Sequence, residues 1–220
     1  MKMRFRDRGE AGRMLAERLK DMRGESPVVL ALPRGGVPVG YEVARALGVP
    51  LEVLVARKLG VPWHPELGMG AIAEGGALYV NPEVLAYADL TNEDALTVAQ
   101  QESRELARRV RLYRGERPLP DVRGRTVLLV DDGLATGGTA RAAARAVRVL
   151  GPRRLVLAVP VAAAETAEAL RREEVDEVVA VQEPDRLGAV GVWYEDFYQV
   201  DDEEVLALLA QAHHHPEASP

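Results

Sequence analysis

The residues with the clearest chemical potential form one run, Val127–Thr139, in which an apolar stretch ends in two adjacent acids, Asp131 and Asp132. A turn rich in glycine and threonine follows the acids and leads into a sequence typical of a helix. Glycines let the backbone approach a ligand closely, and successive amide N–H groups at the positive end of a helix bind phosphate. The predicted phosphate contacts are the members of this turn: Ala135, Thr136, Gly137, Gly138 and Thr139.

The two acids suit a different part of a ligand. A carboxylate repels phosphate but accepts hydrogen bonds from vicinal hydroxyls, as the acidic residue of dinucleotide-binding folds does from ribose. A phosphate subsite beside a diol subsite describes ribose 5-phosphate, which is the ligand that the run Asp131–Thr139 predicts. The alternative is a strand, turn and helix in which the acids only cap the helix.

Such a site needs a parallel sheet, because ligands of open α/β sheets bind where the carboxyl ends of strands meet the N-termini of helices. Short apolar segments without alternation predict strands that are covered on both faces. Five segments have this character: Val28–Leu32, Leu51–Ala56, Thr126–Val130, Leu155–Pro160 and Glu177–Val181. Helical patterns lie between them, so the sequence predicts the α/β class with a doubly wound, mostly parallel five-stranded sheet.

Four other segments complete the predicted organisation. Leu59–Gly76 contains several glycines and prolines and predicts a long irregular loop, which is usually functional or mobile. Arg6–Met22 and Asn92–Arg114 predict helices, the second with Thr91 or Asn92 as its N-cap. Residues 211–220 predict a flexible tail, and a metal role for its histidines is the less favoured alternative.

Composition narrows the class of protein. The chain has 220 residues, 47% of them apolar, which suits one core with a small appendage, and we predict a single domain over residues 1–210. The formal net charge of −6 disfavours a nucleic-acid partner but allows a small anionic ligand. Cysteine is absent, so disulfides and thiolate chemistry are excluded. Without an apolar stretch of membrane-spanning length or a signal-peptide pattern, we expect no membrane partner and a cytoplasmic location.

The run Val127–Thr139 resembles the phosphoribosyl-pyrophosphate motif of the type I phosphoribosyltransferases, an apolar strand followed by two acids and a Thr-Gly turn. The resemblance implies transfer of 5-phosphoribosyl from phosphoribosyl pyrophosphate to an unidentified base, with release of pyrophosphate. It implies that Asp131 and Asp132 hold the ribose and help to stabilise a cationic transition state. Mg²⁺ is the implied cofactor, held mainly by ligand oxygens and water near these two acids. A homodimer or larger homo-oligomer is also expected.

The same resemblance gives roles to residues that follow the first two predicted strands. Arg34, with Gly35 and Gly36, lies where the family has its pyrophosphate loop. Arg57 and Lys58 match basic residues that reach pyrophosphate in relatives such as orotate phosphoribosyltransferase. The segment after them lies where the family has a flexible loop that closes over the reacting centre. The predicted catalytic residues are two acids and two cations: Asp131, Asp132, Arg34 and Lys58.

A small hood is predicted from the two chain ends, residues 1–25 and 183–210, with residues 84–117 as a helical insertion. Residues 183–198 resemble the hood of hypoxanthine-type enzymes, so Trp193, Tyr194 and Phe197 are predicted to offer stacking surfaces for the base. The alternative is a small aromatic core that closes the edge of the sheet. Ala135 stands where hypoxanthine-type enzymes carry an acid, which favours adenine-like or pyrimidine acceptors over 6-oxopurines.

Two other functions use the same pocket. One is a regulator that binds phosphoribosyl pyrophosphate or a nucleotide but has lost catalysis. The other, less favoured, is a phosphatase or hydrolase that acts on a ribose phosphate. Pyrophosphate release that depends on an added base distinguishes the transferase from both.

Overall fold

The computed structural model describes residues 4–74 and 77–214, without the side chains of residues 66 and 214. Seven helices in this part of the chain are α1 Arg8–Leu19, α2 Gly36–Leu47, α3 Pro82–Tyr87, α4 Asn92–Arg114, α5 Gly138–Val149, α6 Ala164–Glu173 and α7 Asp202–His214. Eight strands are β1 Val28–Ala31, β2 Leu51–Val53, β3 Ala56–Val61, β4 His64–Ala73, β5 Ala77–Val80, β6 Thr126–Val130, β7 Arg154–Val161 and β8 Glu177–Gln182. Within the described ranges, 3₁₀ turns include Lys20–Glu25 and Val190–Trp193.

The main sheet confirms the predicted α/β class. Its five strands run in the order β2-β1-β6-β7-β8, and every neighbouring pair is parallel. β1 and β6 are buried along their whole lengths because apolar side chains cover both faces. Side chains of α1, α2 and α7 join one core cluster, whereas those of α5 and α6 join the cluster on the other face. Burial on both faces explains why these strands are short apolar runs.

A second, three-stranded antiparallel sheet, in the order β3-β4-β5, occupies the segment Leu59–Gly76 that the sequence predicts to be an irregular loop. That prediction is wrong over residues 59–73, and residues 75 and 76 lie outside the described part. The glycines allow strands to approach closely. A Cβ atom added at Gly60 would lie 2.5 Å from the carbonyl oxygen of Pro65, and one at Gly70 would lie 2.4 Å from that of Tyr79. Strand glycines often mark such approaches, so they are weak evidence for a loop.

Segments near the two chain ends are hydrogen-bonded to each other. The amide of Phe5 donates to the carbonyl of Trp193 at 2.8 Å, and the amide of Glu195 donates back to the carbonyl of Phe5 at 2.8 Å. The helical segment predicted as an insertion forms α3 and α4, and α4 packs against the second sheet. α7 continues through residues 211–214, which the sequence places in a flexible tail, and residues 215–220 lie outside the described part.

Candidate active site

The order of the strands places a switch point between β1 and β6 at the carboxyl edge of the main sheet. The chain passes from β1 to β2 on one side, and from β6 to β7 and β8 on the other. The connections after β1 and β6 therefore leave in opposite directions, which is the arrangement that opens a ligand crevice in doubly wound folds. The predicted acids follow β6, and Arg34, Gly35 and Gly36 follow β1. Because β1 and β6 are paired neighbours, the two groups of site residues lie side by side.

Both carboxylates are anchored through one oxygen. Oδ1 of Asp131 accepts from the amide of Asp132 at 2.9 Å, and Oδ2 of Asp132 accepts from Nε of Arg8 at 2.9 Å. Within residues 4–74 and 77–214, Oδ2 of Asp131 and Oδ1 of Asp132 have no hydrogen-bond partner. Each acid therefore retains one oxygen that can accept a hydrogen bond from a ligand hydroxyl.

The two acids have unequal electrostatic surroundings. Burial, followed by repulsion from the Asp132 carboxylate, raises the pKa of Asp131 well above its ordinary value. Burial also raises the pKa of Asp132, but the charge and hydrogen bond of Arg8 oppose that rise. Adjacent acids in a poorly hydrated site disfavour their charged forms, which is typical of groups held for a ligand rather than for stability.

The loop after β1 fits closely against these acids. A Cβ atom at Gly35 would lie 2.0 Å from Oδ2 of Asp132, and one at Gly36 would lie 2.6 Å from the carbonyl oxygen of Val130. Glycine is therefore needed at both positions for steric reasons. Arg34 is half-buried, and its peptide bond with Pro33 is cis.

The turn Ala135–Thr139 is open to solvent on either side of its central residue, Gly137. Thr136, Gly138 and Thr139 are at least partly exposed, while Gly137 is buried and has a φ of +76°, which favours glycine. Thr136 and Gly138 line a cavity of about 400 Å³ together with Lys58. Ala135 is half-buried and packs against hood residues. An open amide turn at the start of α5, with a lysine across a cavity, has the charge and geometry for an anion.

The structure separates Arg57 from Lys58. Successive residues of a strand point to opposite faces, and both lie on β3. Arg57 binds Glu102 of α4 through Nε at 2.8 Å and Nη2 at 2.5 Å, whereas Lys58 lines the cavity beside the amide turn. The structure therefore brings Lys58, and not Arg57, to the turn.

The aromatic residues of the hood form one buried pair and one exposed pair. Trp193 is 3% exposed, and its indole donates to the carbonyl of Leu187 at 3.0 Å. Tyr194 is 1% exposed and donates to the carbonyl of Asp132 at 2.6 Å. These two rings form the small aromatic core that the sequence leaves as the alternative to base stacking. Phe197 and Tyr198 are 39% and 44% exposed, so the open aromatic surface of the hood lies four residues further along.

Arg8 is the site residue that sequence reasoning missed. It lies in the first turn of α1, and its guanidinium reaches Asp132 across the hood. The available signal was its place near the start of a predicted helix, where the positive end of the helix dipole disfavours a cation. A cation in that position needs a nearby acid, but the sequence does not indicate which one.

Among residues 4–74 and 77–214, no group of three or more His, Cys, Asp or Glu side chains could hold a metal ion by itself. No helix in the same ranges is long and apolar enough to cross a membrane.

A doubly wound parallel sheet with two acids and an open amide turn at its switch point belongs to the class of α/β proteins that bind ligands at the carboxyl edge of the sheet. The family profile of the phosphoribosyl transferase domain matches residues 8–192, and the chain belongs to that family. A protein of Mycobacterium tuberculosis named "Putative phosphoribosyl transferase Rv0571c" is 46% identical over 209 residues, which are 95% of this chain and 47% of that protein. The chain thus spans about half the length of the curated relatives it matches.

Two solved structures are similar to the chain. The crystal structure of TT1426 from Thermus thermophilus has a TM-score of 0.86 and 47% identity, covering 95% of this chain and 99% of that one. The structure of protein AQ2163 from Aquifex aeolicus has a TM-score of 0.51 at 17% identity, covering 84% and 78% of the two chains. At that identity, the second comparison supports the fold alone.

Proposed function

We propose that this chain is a Mg²⁺-dependent phosphoribosyltransferase, which moves 5-phosphoribosyl from phosphoribosyl pyrophosphate to a nitrogen of an acceptor base. One observation carries the proposal. Two half-buried carboxylates, each with one oxygen left unpaired by the described residues, lie directly before an open amide turn at the switch point of the sheet. Such a pairing of a hydroxyl subsite with a phosphate subsite fits ribose 5-phosphate.

Each subsite has a defined role in the proposal. The amides and hydroxyls of Thr136–Thr139 bind the 5-phosphate, and Lys58 supplies positive charge across the cavity. Asp131 and Asp132 accept hydrogen bonds from the ribose diol through the oxygens that remain available. Pyrophosphate lies beside the loop that carries Arg34, where the glycines allow close approach of the ligand to the backbone.

In the transfer step, the bond between C1′ and the pyrophosphate oxygen breaks, and its electron pair leaves with pyrophosphate. The acceptor nitrogen forms the new bond to C1′ and loses its proton to solvent. Positive charge develops at C1′ and the ring oxygen, and the two acids stabilise it in their ionised forms. The available oxygens of Asp131 and Asp132 are hard donors of the kind that Mg²⁺ prefers. When bound, Mg²⁺ would neutralise negative charge on pyrophosphate.

The choice of acceptor stays a prediction, as do the cytoplasmic location and the homo-oligomer. Ala135 supplies no proton acceptor, which favours adenine-like or pyrimidine bases over hypoxanthine and guanine. Glu195 and Asp196 are the acids of the hood that could replace it, and both are exposed.

The decisive experiment is a panel of bases incubated with phosphoribosyl pyrophosphate and Mg²⁺, with pyrophosphate release as the signal. The Asp131→Asn/Asp132→Asn double variant is the matched control, because it keeps the shape of both side chains. Base-dependent release that the double variant loses supports the proposal. Binding of phosphoribosyl pyrophosphate without turnover would favour the regulator, and phosphate release from ribose 5-phosphate without a base would favour a hydrolase. No binding of phosphoribosyl pyrophosphate would refute the proposal.

A further inference from the structure

Arg8 lies in an unfavourable place for a cation. It is 5% exposed, and it belongs to the first turn of α1, where the helix dipole is positive. A buried guanidinium is tolerated only when charged and polar partners surround it. The partners of the Arg8 guanidinium therefore indicate its role in the site.

The partners of Arg8 come from two separate parts of the site. Nε donates to Oδ2 of Asp132 at 2.9 Å, and Nη1 donates to the carbonyl of Tyr198 at 2.7 Å. The guanidinium carbon also lies 4.0 Å from the centre of the Phe197 ring, within the range of a cation–π contact. One side chain thus joins the acid of the ribose subsite to the exposed aromatic surface of the hood.

The contact fixes the orientation of the Asp132 carboxylate. Oδ2 is held between the guanidinium and Gly35, where even a Cβ atom would be 2.0 Å away. Oδ2 therefore faces Arg8 and the loop after β1, and Oδ1 is the oxygen left for a ligand. An Arg–carboxylate bond is directional, so it selects one rotamer of Asp132 more strongly than a diffuse charge would.

We propose that Arg8 is a positioning residue of the transfer reaction: it orients Asp132 toward the ribose hydroxyls and fixes the Phe197–Tyr198 surface relative to the ribose subsite. The proposal rests on the proposed function, since it requires ribose to bind at Asp132. Arg8 acts through Asp132 and does not itself touch the reacting atoms.

The test compares calorimetric affinities for two ligands, phosphoribosyl pyrophosphate and pyrophosphate alone, across five proteins. These are the wild type, Arg8→Gln, Arg8→Lys, Asp132→Asn and the Arg8→Gln/Asp132→Asn double variant. We expect Arg8→Gln to weaken phosphoribosyl pyrophosphate binding by roughly 10- to 100-fold, the effect of losing one charge-assisted hydrogen bond. Affinity for pyrophosphate should not change, because pyrophosphate makes no ribose contact. Arg8→Lys should recover part of the loss, and Arg8→Gln should add nothing in the Asp132→Asn background.

Arg13→Gln is the matched control, since Arg13 lies on the same helix and pairs with Glu42 away from the acids. Three results would overturn the proposal. Arg8→Gln could bind phosphoribosyl pyrophosphate with wild-type affinity, or it could lose affinity for both ligands equally. The third result is that Arg8→Gln weakens phosphoribosyl pyrophosphate binding as much in the Asp132→Asn background as in the wild type. If Arg8→Gln does not fold, Arg8→Lys decides alone by the same two-ligand comparison. A wild type that binds pyrophosphate but not phosphoribosyl pyrophosphate would refute the proposed function first, and this role with it.

Discussion

The crevice has two walls that are held in place by different means. One wall is the segment Asp131–Thr139, which lies between β6 and α5 and is supported by elements adjacent to it in the chain. The other wall is the hood, in which the carbonyl of Tyr198 meets Arg8 across a separation of 190 residues. The first wall is open backbone with accessible threonines, whereas the second is an aromatic cluster.

Because the two walls are built differently, we expect substitutions in the first wall to change ligand affinity and substitutions in the second to change stability. The amide turn contributes little apolar burial, so its substitutions should change ligand affinity with small effects on folding. The hood holds its shape through Trp193 and Tyr194, so changes there should first reduce the stability of the fold. The Tyr194 hydroxyl also joins the two walls directly, because it donates to the carbonyl of Asp132.

The largest effect should come from Trp193→Ala. The ring is 3% exposed and its N–H is hydrogen-bonded, so its removal leaves a cavity and an unpaired carbonyl. We expect a loss of about 3–5 kcal/mol in the free energy of unfolding, measured by urea denaturation. Phe197→Ala is the comparison, because that ring is 39% exposed and should cost clearly less. Equal losses in the two variants would show that the hood is not divided into a packed and an open part.

The second prediction concerns stability and pH in the other wall. The pKa of Asp131 is raised in the folded protein, whereas in the unfolded chain it is about 4. The folded state therefore binds this proton more tightly, and stability decreases as pH rises through the interval between the two pKa values. Asp131→Asn removes the charge and should raise Tm by a few degrees at neutral pH, with a gain that shrinks toward pH 4.

Asp132→Asn is the matched control for that experiment. Arg8 opposes the rise in the pKa of Asp132, so removal of that charge should stabilise the protein less than removal of the Asp131 charge. Thermal unfolding of both variants between pH 4.5 and 8 provides the comparison. Two results would contradict the unequal surroundings of the two acids. One is a greater increase in Tm for Asp132→Asn than for Asp131→Asn, and the other is a Tm of Asp131→Asn at pH 8 that is lower than that of the wild type.

The first wall could be predicted from the sequence, whereas the contact that joins it to the hood could not. The turn Asp131–Thr139 was identifiable because its chemistry depends on residues that are adjacent in the chain. The five-stranded sheet was predictable because buried parallel strands are apolar without alternation. The partnership of Arg8 with Asp132 was not, because no local pattern connects residues 124 positions apart.

The remaining errors also have physical causes. Glycines and prolines in Leu59–Gly76 suggested a loop, whereas Gly60 and Gly70 allow the strands of a hairpin to approach. The sequence predicts Arg57 and Lys58 as one basic site, whereas β3 places them on opposite faces. Both errors arise because the segment was not recognised as a strand. In a strand, successive side chains point to opposite faces, and this alternation is not considered when the segment is predicted to be a loop.

The smallest predicted effect is that of Thr139→Ala on ribose 5-phosphate binding. Thr139 is exposed at the start of α5, and its hydroxyl should add one hydrogen bond to the phosphate. One such bond is worth roughly 1 kcal/mol net, which corresponds to about a fivefold weaker affinity by calorimetry. The effect is small because the backbone amides of the turn remain in place, and they supply the other phosphate contacts. Thr97→Ala on α4 is the control, since its exposed hydroxyl donates to the Glu93 carbonyl of its own helix. Unchanged affinity in Thr139→Ala would place the phosphate elsewhere. A loss of affinity of about 100-fold, or roughly 2.7 kcal/mol, would show that the first wall binds phosphate through side chains rather than through its backbone.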